Sequence, residues 1–454
     1  MKLLKSSFWL HSIFYTLLQR FSLFFFGAVA YMVLARGLSA NGSMAIWALY
    51  LTILSLFETV KQGLLRNPTI KFLGLSEYAN RKAEVQSSSM VINLLFSALT
   101  LIGLVAGSGL ISNLLKSPDL IPLLHWSAAF IILLVPFNHF EILLQARYHF
   151  QQIFWAYFVR QGSFFIGILI LFFFAKEHFT LMNLMIMQLV SLLAGTIMLF
   201  NSAKQFMMKK FHYDKSIIVR MFHFGKYIFG TNLCSNVTRS FDHFITANTL
   251  SPLSGKQYVS YYNTVARINN MIDVPSLAAA DVLFPKNVES LEEHGIGKVK
   301  YYFERMVGTI LAVIIPICIF IFLFPKFIIF IIAGPNYYDA IPILQITIFM
   351  SLVKPIGYQY GSTLDAIGKP VVNFWTSAVM MVIALVTTWL CLLKWDGIGA
   401  AYATVLNSII GGSIMYFVLK KQIQLEGRNI IRYTLQSYKD IWAFRKKLIR
   451  QPVA

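Results

Sequence analysis

Five stretches of this chain contain no Asp, Glu, Lys or Arg: Val85–Leu115, His178–Ala203, Met306–Pro325, Pro370–Leu393 and Gly397–Leu419. Each reaches or exceeds the roughly 20 apolar residues with which a helix crosses a bilayer. Charged residues make up 13% of the 454 residues and hydrophobic ones 57%, whereas a soluble domain is roughly one-quarter charged. This excludes a soluble enzyme, a secreted disulfide scaffold and a disordered chain, and predicts an all-α polytopic membrane protein. The first apolar stretch, behind Lys2 and Lys5, runs to about Leu34. It is too long for a cleaved signal peptide and reads as the first span. Cys234, Cys318 and Cys391 fall far apart inside predicted spans, as buried apolar residues do, with neither disulfide nor metal-ligand spacing.

Apolar runs punctuated by Gly, Pro and charge predict twelve helices. Their cores are near 9–34, 43–65, 87–111, 120–145, 151–174 and 180–202, then 221–249, 257–284, 304–324, 340–365, 371–393 and 397–419. Charge or proline interrupts the seventh, eighth and tenth. With both termini cytoplasmic, the outside loops carry only Arg36, Lys116, Lys176, Lys256, Lys326 and Lys394. The other loop cations all fall inside, as the positive-inside rule requires. The net charge of +20 thus belongs to one membrane face, and no nucleic-acid partner is expected.

The chain also repeats itself. Asp119-Leu-Ile-Pro122-Leu-Leu recurs as Asp339-Ala-Ile-Pro342-Ile-Leu, Leu144-Gln-Ala146 as Leu364-Asp-Ala366, and Phe154-Trp155 as Phe374-Trp375, all in one register. A repeat of six spans predicts two six-helix lobes of like orientation, related by a pseudo-twofold axis along the membrane normal. The expected division is a lobe at 1–205, a lobe at 206–420 and a basic tail at 421–454. The tail sets Ile430, Ile431, Leu435, Tyr438 and Trp442 among basic residues, a pattern predicting an amphipathic helix on an anionic membrane surface.

An ionisable group at mid-bilayer costs at least about 2.5–3.5 kcal/mol and tends to face a wet cavity or a partner. Lys61 and Lys226 lie close enough to the cytoplasmic side to snorkel. Arg20, Arg160, Arg239, Arg267 and Lys354 lie nearer the centres of their spans. Against them stand Asp242 and Asp273 at depth, while Glu58, Glu141, Asp281 and Asp365 fall near cytoplasmic ends. Arg239 can pair with Asp242 at i+3 and Glu58 with Lys61, but Asp273 is six residues from Arg267, off its helix face. A cationic cavity between the lobes is the expected result, suited to an anion such as a diphosphate. Asp242, His243 and Asp365 are the candidates for proton or sodium coupling. Gly368-Lys369 does not end a phosphate-binding loop, because Thr363 and Pro370 stand where Gly and Ser/Thr are needed. No cofactor or metal is implied.

Gly334-Pro335-Asn336-Tyr337-Tyr338-Asp339-Ala340, Leu364-Asp-Ala366-Ile-Gly368-Lys369-Pro370 and Gly397-Ile-Gly399-Ala400-Ala401-Tyr402-Ala403-Thr404 carry a resemblance. So does Leu34-Ala35-Arg36-Gly37-Leu38, although Ser39-Ala40 replaces the usual Gly-Pro. The chain resembles the polysaccharide-transporter branch of the multidrug/oligosaccharidyl-lipid/polysaccharide exporter superfamily, the flippases of O-antigen and capsule repeat units. The resemblance implies translocation of undecaprenyl-diphosphate-linked oligosaccharide across the bacterial inner membrane by alternating access, with polymerase and glycosyltransferases as partners beside the membrane lipids. Arg20, Arg239, Arg267, Lys354 and Arg160 are then the expected diphosphate contacts. Asn232, Asn236, Tyr261, Tyr262, Asn263, Asn269, Asn270 and Tyr358 are expected to face sugar. A cation-coupled multidrug exporter of the same superfamily is the alternative. A membrane glycosyltransferase or polymerase would need a larger outer loop with catalytic acids.

Overall fold

The computed structural model describes residues 2–38, 43–114, 117–208, 210–249 and 252–450, and among these the secondary structure is helical throughout. The first six long helices are α1 (Lys2–Gly37), α2 (Ser43–Lys61), α3 (Lys82–Ala106), α4 (Leu120–Gln145), α5 (Phe150–Phe174) and α6 (Leu181–Ala203). The next three are α7 (Lys215–Thr249), α8 (Pro252–His294) and α9 (Ile296–Leu323). They are followed by α10 (Lys354–Ala366), which is entered through the turns of Pro335–Leu352 with a 40° bend. The helical stretch Pro370–Ile423 is broken at Trp395 and Asp396, the latter at φ 48°, which separates α11 (370–394) from α12 (397–423). Last comes α13 (Gly427–Arg450). Twelve principal helices and a terminal one result among the described residues, as the sequence predicts. With Pro370–Ile423 counted as one helix, seven of the described helices, or eight with the bent pair taken as one span, are long and apolar enough to cross a membrane by length and composition alone.

Local chemistry shapes these helices. After Lys61, α2 widens into a π-turn at Gln62–Arg66 before continuing as Asn67–Gly74. Pro68, which has no N–H for the helical ladder, follows directly. Pro136 lies inside α4, Pro275 and Pro285 inside α8, and Pro316 inside α9. The loops after α4 and after α10 both turn through positive φ, at Tyr148 (62°) and Gly368 (81°). These two positions are again equivalent in the register of the repeat.

The chain forms two compact units, Met1–Phe229 and Gly230–Ala454. The boundary between these units lies inside α7, whose start packs on the end of α2. A Cβ on Gly225 would lie 3.0 Å from the Leu64 backbone and 3.1 Å from Pro68 Cγ, so glycine favours this close approach. Phe224 stacks edge-on against Phe72 beneath the Lys71 ammonium. Arg220 donates to Glu77 (3.0 Å) and to the Tyr78 hydroxyl (2.9 Å), and Arg81 bridges Glu84 and Asp214.

In the second unit the tail is part of the core. Phe303, Val307, Tyr360, Leu364, Leu419, Ile423, Leu425 and Ile430 form one buried cluster. The buried Glu304 carboxylate accepts the Glu426 backbone N–H (2.9 Å) and the Asn429 amide (3.0 Å), satisfying donors at the start of α13. A Cβ on Gly308 would meet Tyr433 Cβ at 2.8 Å and the Ile430 carbonyl at 2.9 Å. Beyond the sequence-based expectation of a surface helix, α13 is therefore packed on α9. Cys234, Cys318 and Cys391 are free and buried.

Gly308→Leu should lower stability by about 1–3 kcal/mol through overpacking, read as a fall in the thermal unfolding midpoint of the purified protein. A second test concerns pH. Asp214 accepts from the Ser216 hydroxyl and backbone N–H and from Arg81, which lowers its pKa to about 2. A depressed carboxylate stabilises the fold above its unfolded pKa, and that contribution is lost as pH falls through the folded value. Thermal stability should therefore decline between about pH 4 and pH 2, and Asp214→Asn should flatten that decline.

Candidate membrane-embedded charge clusters

In the first unit the charges converge on one open pocket. Its wall is built by helical spacing. Glu58, Lys61 and Leu65 share one face of α2 and its extension, and the π-turn carries Arg66 to the same side. Leu134, Asn138, Glu141 and Ile142 share one face of α4, and Tyr157 and Arg160, three apart, come from α5. Residues at these spacings lie one above another.

Each charge is held differently. Lys61 is buried and donates to Ser97 Oγ on α3 (3.0 Å); it does not snorkel to the surface. Arg66 donates through Nε to Gln145 Oε1 (2.7 Å). The Arg160 guanidinium lies over the Phe137 ring at 4.8 Å and the Phe130 ring at 5.9 Å, and Tyr157 meets Phe137 edge-on. Among the described residues Arg160 has no carboxylate within ion-pair distance, and Glu58 makes no hydrogen bond or ion pair. Three cations and two carboxylates thus face one pocket. The electrostatics favour an anion but leave groups that can accept from hydroxyls or hold a cation.

In the second unit Lys354, the first residue of α10, forms an ion pair with Asp273 of α8 (2.8 Å), and the Tyr358 hydroxyl donates to the same oxygen (3.2 Å). Asp273 is buried. The contact continues as a polar seam between α8 and α10. Gln359 donates to the Ser276 carbonyl (2.9 Å), Ser362 to the Ala280 carbonyl (3.3 Å), and Asn287 to Thr363 (3.0 Å). In the register of the repeat, Lys354 and Tyr358 are the equivalents of Leu134 and Asn138. The clusters of the two halves therefore use equivalent faces of the fourth helix of each repeat.

The other residues singled out from the sequence scatter. Arg20 is half-buried on α1, and Arg267 is exposed on α8 with no partner among the described residues. Arg239, Asp242 and His243 lie on α7, and their side chains are outside the described residues, as is that of Asn263. Asp365 is buried and accepts from Asn373 (3.0 Å) across the turn between α10 and α11. Tyr261 donates to Asp339 (3.2 Å), Tyr262 to the Gly397 carbonyl (3.0 Å) and Asn269 to Thr347 (3.5 Å), so these three tie α8 to neighbouring segments. Sequence reasoning did not single out Lys61, Arg66, Asn138, Glu141 or Tyr157 as site residues. The available signal was spacing: 58, 61 and 65; 134, 138 and 141; 157 and 160.

Comparison with known proteins places this geometry. Residues 33–342 match the model of a family described as polysaccharide biosynthesis protein. An uncharacterised membrane protein of Methanocaldococcus jannaschii is 24% identical over 221 residues, which span 48% of this chain and 43% of that protein. Among solved structures, a MATE protein in a bent conformation superposes with a TM-score of 0.81 at 12% identity, over 95% of this chain and 97% of that one. A MOP-superfamily transporter from Pyrococcus furiosus, whose title describes a binding pocket of reversed polarity, gives 0.79 at 12% identity over 92% and 95%. An outward-facing multidrug resistance MATE transporter of the MOP superfamily gives 0.78 at 12% identity over 92% and 95%. The chain belongs to the polysaccharide biosynthesis protein family and is a multi-pass membrane protein with the helical fold of the MATE and other MOP-superfamily transporters.

Proposed function

We propose that this protein is a flippase that carries undecaprenyl-diphosphate-linked oligosaccharide across the bacterial inner membrane, with its cationic membrane-embedded clusters receiving the diphosphate. The observation that carries this reading is Arg160, a guanidinium inside a spanning helix with no carboxylate partner among the described residues, beside Lys61 and Arg66 on one pocket. Membership of a polysaccharide biosynthesis family supports a glycan-bearing substrate.

The residues divide the task by their chemistry. The planar fork of Arg160 suits two phosphate oxygens, and the Phe137 and Phe130 rings fix its orientation. Lys61 adds a compact charge from α2. One such contact at 4 Å is worth about 4 kcal/mol at an effective dielectric near 20, before desolvation. Glu58, Glu141 and Asn138 can take hydroxyl protons from sugar. In the second unit Asp273 holds Lys354 until an anion competes for it, which keeps binding weak enough for release. Alternating exposure of these segments to the two sides of the membrane then moves the headgroup while the prenyl chain stays in lipid.

A second reading has its own observation: Glu58 and Glu141 lie in the same pocket, as a cation-coupled multidrug exporter would use them. Arg160→Ala and Lys61→Ala should each reduce flipping of lipid-linked oligosaccharide in proteoliposomes at least tenfold, with Glu58→Gln closer to wild type. Unchanged flipping in both cation variants overturns the flippase reading. Dye efflux that falls in Glu58→Gln and Glu141→Gln, with no glycan transport, supports the exporter.

The Lys354–Asp273 pair permits a separate test. Breaking a fully buried pair costs about 3–5 kcal/mol, and here the loss should be smaller, because Lys354 keeps 32% of its side chain exposed. Asp273→Ala should lower the unfolding midpoint, and Asp273→Leu with Lys354→Met should recover much of it. Transport should stay low in the double variant. Recovery of transport along with stability would make the pair purely structural.

A further inference from the structure

The charge-free run of α9 begins at Met306, directly after Lys298, Lys300 and Arg305. A membrane helix changes in this way at the headgroup level. α13 crosses α9 at that same level. Glu304 holds the Glu426 N–H and Asn429, Gly308 admits Tyr433 and Ile430, and Thr309 lies 3.3 Å from Ser437. The packing fixes which face of α13 looks outward. Ile430 and Thr434 are buried, whereas Ile431 (64% exposed), Leu435 (57%) and Tyr438 (36%) form an uncovered apolar stripe at i, i+4 and i+7.

Exposed cations flank that stripe: Arg428, Arg432 and Lys439 from α13, and Arg305 from α9. The carboxylates nearest the crossing are already engaged, Glu426 by Lys300 and Glu304 by Asn429 and the backbone. The acid within α13 itself, Asp440, adjoins Lys439 in sequence. Among the described residues neither Arg305, Arg428 nor Arg432 has an acidic partner. Aromatic rings shape the spot: Arg305 donates to the Tyr301 hydroxyl, Lys298 lies 5.0 Å from the Tyr301 ring centre, and Tyr433 meets Tyr301 edge-on. Tyr433 lies within electrostatic reach of both Arg305 and Arg432.

We infer that the crossing of α9 and α13 is a seat for anionic phospholipid. Arg305 and Arg432 take the headgroup phosphate, Arg428 and Lys439 add attraction to neighbouring headgroups, and Ile431, Leu435 and Tyr438 enter the acyl boundary. The combination of uncovered apolar side chains and cations without acidic partners at headgroup depth matches a charged lipid surface, and lipid bound here secures α13 on α9. The site shares no residue with the charge clusters of α2, α4, α5 or α10, so it stands or falls independently of the flippase reading.

The test uses the full-length protein in nanodiscs of phosphatidylcholine, with and without one part in three of phosphatidylglycerol, reading the thermal unfolding midpoint and, by native mass spectrometry, the lipid retained. Phosphatidylglycerol should raise the wild-type midpoint and be retained in preference to phosphatidylcholine. Arg305→Gln with Arg432→Gln should lose that preference tenfold or more. Arg428→Gln with Lys439→Gln, two exposed sites away from the closest packing, should lower it severalfold in a protein whose midpoint in phosphatidylcholine is unchanged. Ile431→Asn with Leu435→Asn should lower retention of both lipids. An equal response to phosphatidylglycerol in wild type and both charge variants overturns the proposal. So does a wild-type midpoint raised as far by inorganic phosphate as by phosphatidylglycerol, or a surface that binds a copurifying acidic protein in place of lipid.

Discussion

Inside hydrocarbon a polar group has no water to fall back on, and every charge must find its partner within the protein or face a wet cavity. That constraint organises this molecule. Lys61 finds the Ser97 hydroxyl on a neighbouring helix, Arg160 finds two aromatic faces, and Lys354 finds a carboxylate. These three solutions differ in how tightly they hold the charge. A ring face or a hydroxyl leaves most of a cation's electrostatic demand unmet, whereas the Asp273 carboxylate largely neutralises it. The first unit therefore presents its charge to an open pocket, and the second pairs its charge with a carboxylate.

Much of the fold was legible because its signals are long. A charge-free run the length of a bilayer crossing admits one interpretation, and the asymmetry of loop cations fixed the count at twelve even where α7 and α8 are polar. The site was less legible, since it depends on neighbours that are distant in sequence. Lys61 read as a snorkelling side chain because its depth, judged along α2 alone, lies near a helix end. Only the approach of α3, which supplies Ser97, and of α4 and α5, which supply the facing walls, buries it in a pocket with Arg160. Likewise nothing in the sequence pairs Lys354 with Asp273, which lies far from it along the chain. Spacing could reject Arg267 as the partner of Asp273, but it could not supply the true one. The tail shows the opposite case: its helical, two-faced pattern was plain, while its docking depends on a glycine in α9.

The internal repeat is deeper than the short motifs that reveal it. Backbone at Tyr148 and Gly368 turns through the same unusual region, and a tyrosine accepts there a conformation that glycine adopts freely. The connector that leads out of the first six helices runs along α3, where the Ser87 hydroxyl accepts from the His212 N–H (3.1 Å) and Ser88 faces Asp214. Carried forward by one repeat, Ser88 and Asp214 become Gly308 and Thr434, and those two are also in contact, with the Thr434 nitrogen 3.0 Å from a Cβ built on Gly308.

The start of α13 therefore occupies on α9 the place that this connector occupies on α3. A gene that doubled by repeating a six-helix module would carry its connector twice, once to join the halves and once as a strap after the second. Each half thus has its own closure across its third helix, and the later one bears the basic and apolar outer face of α13.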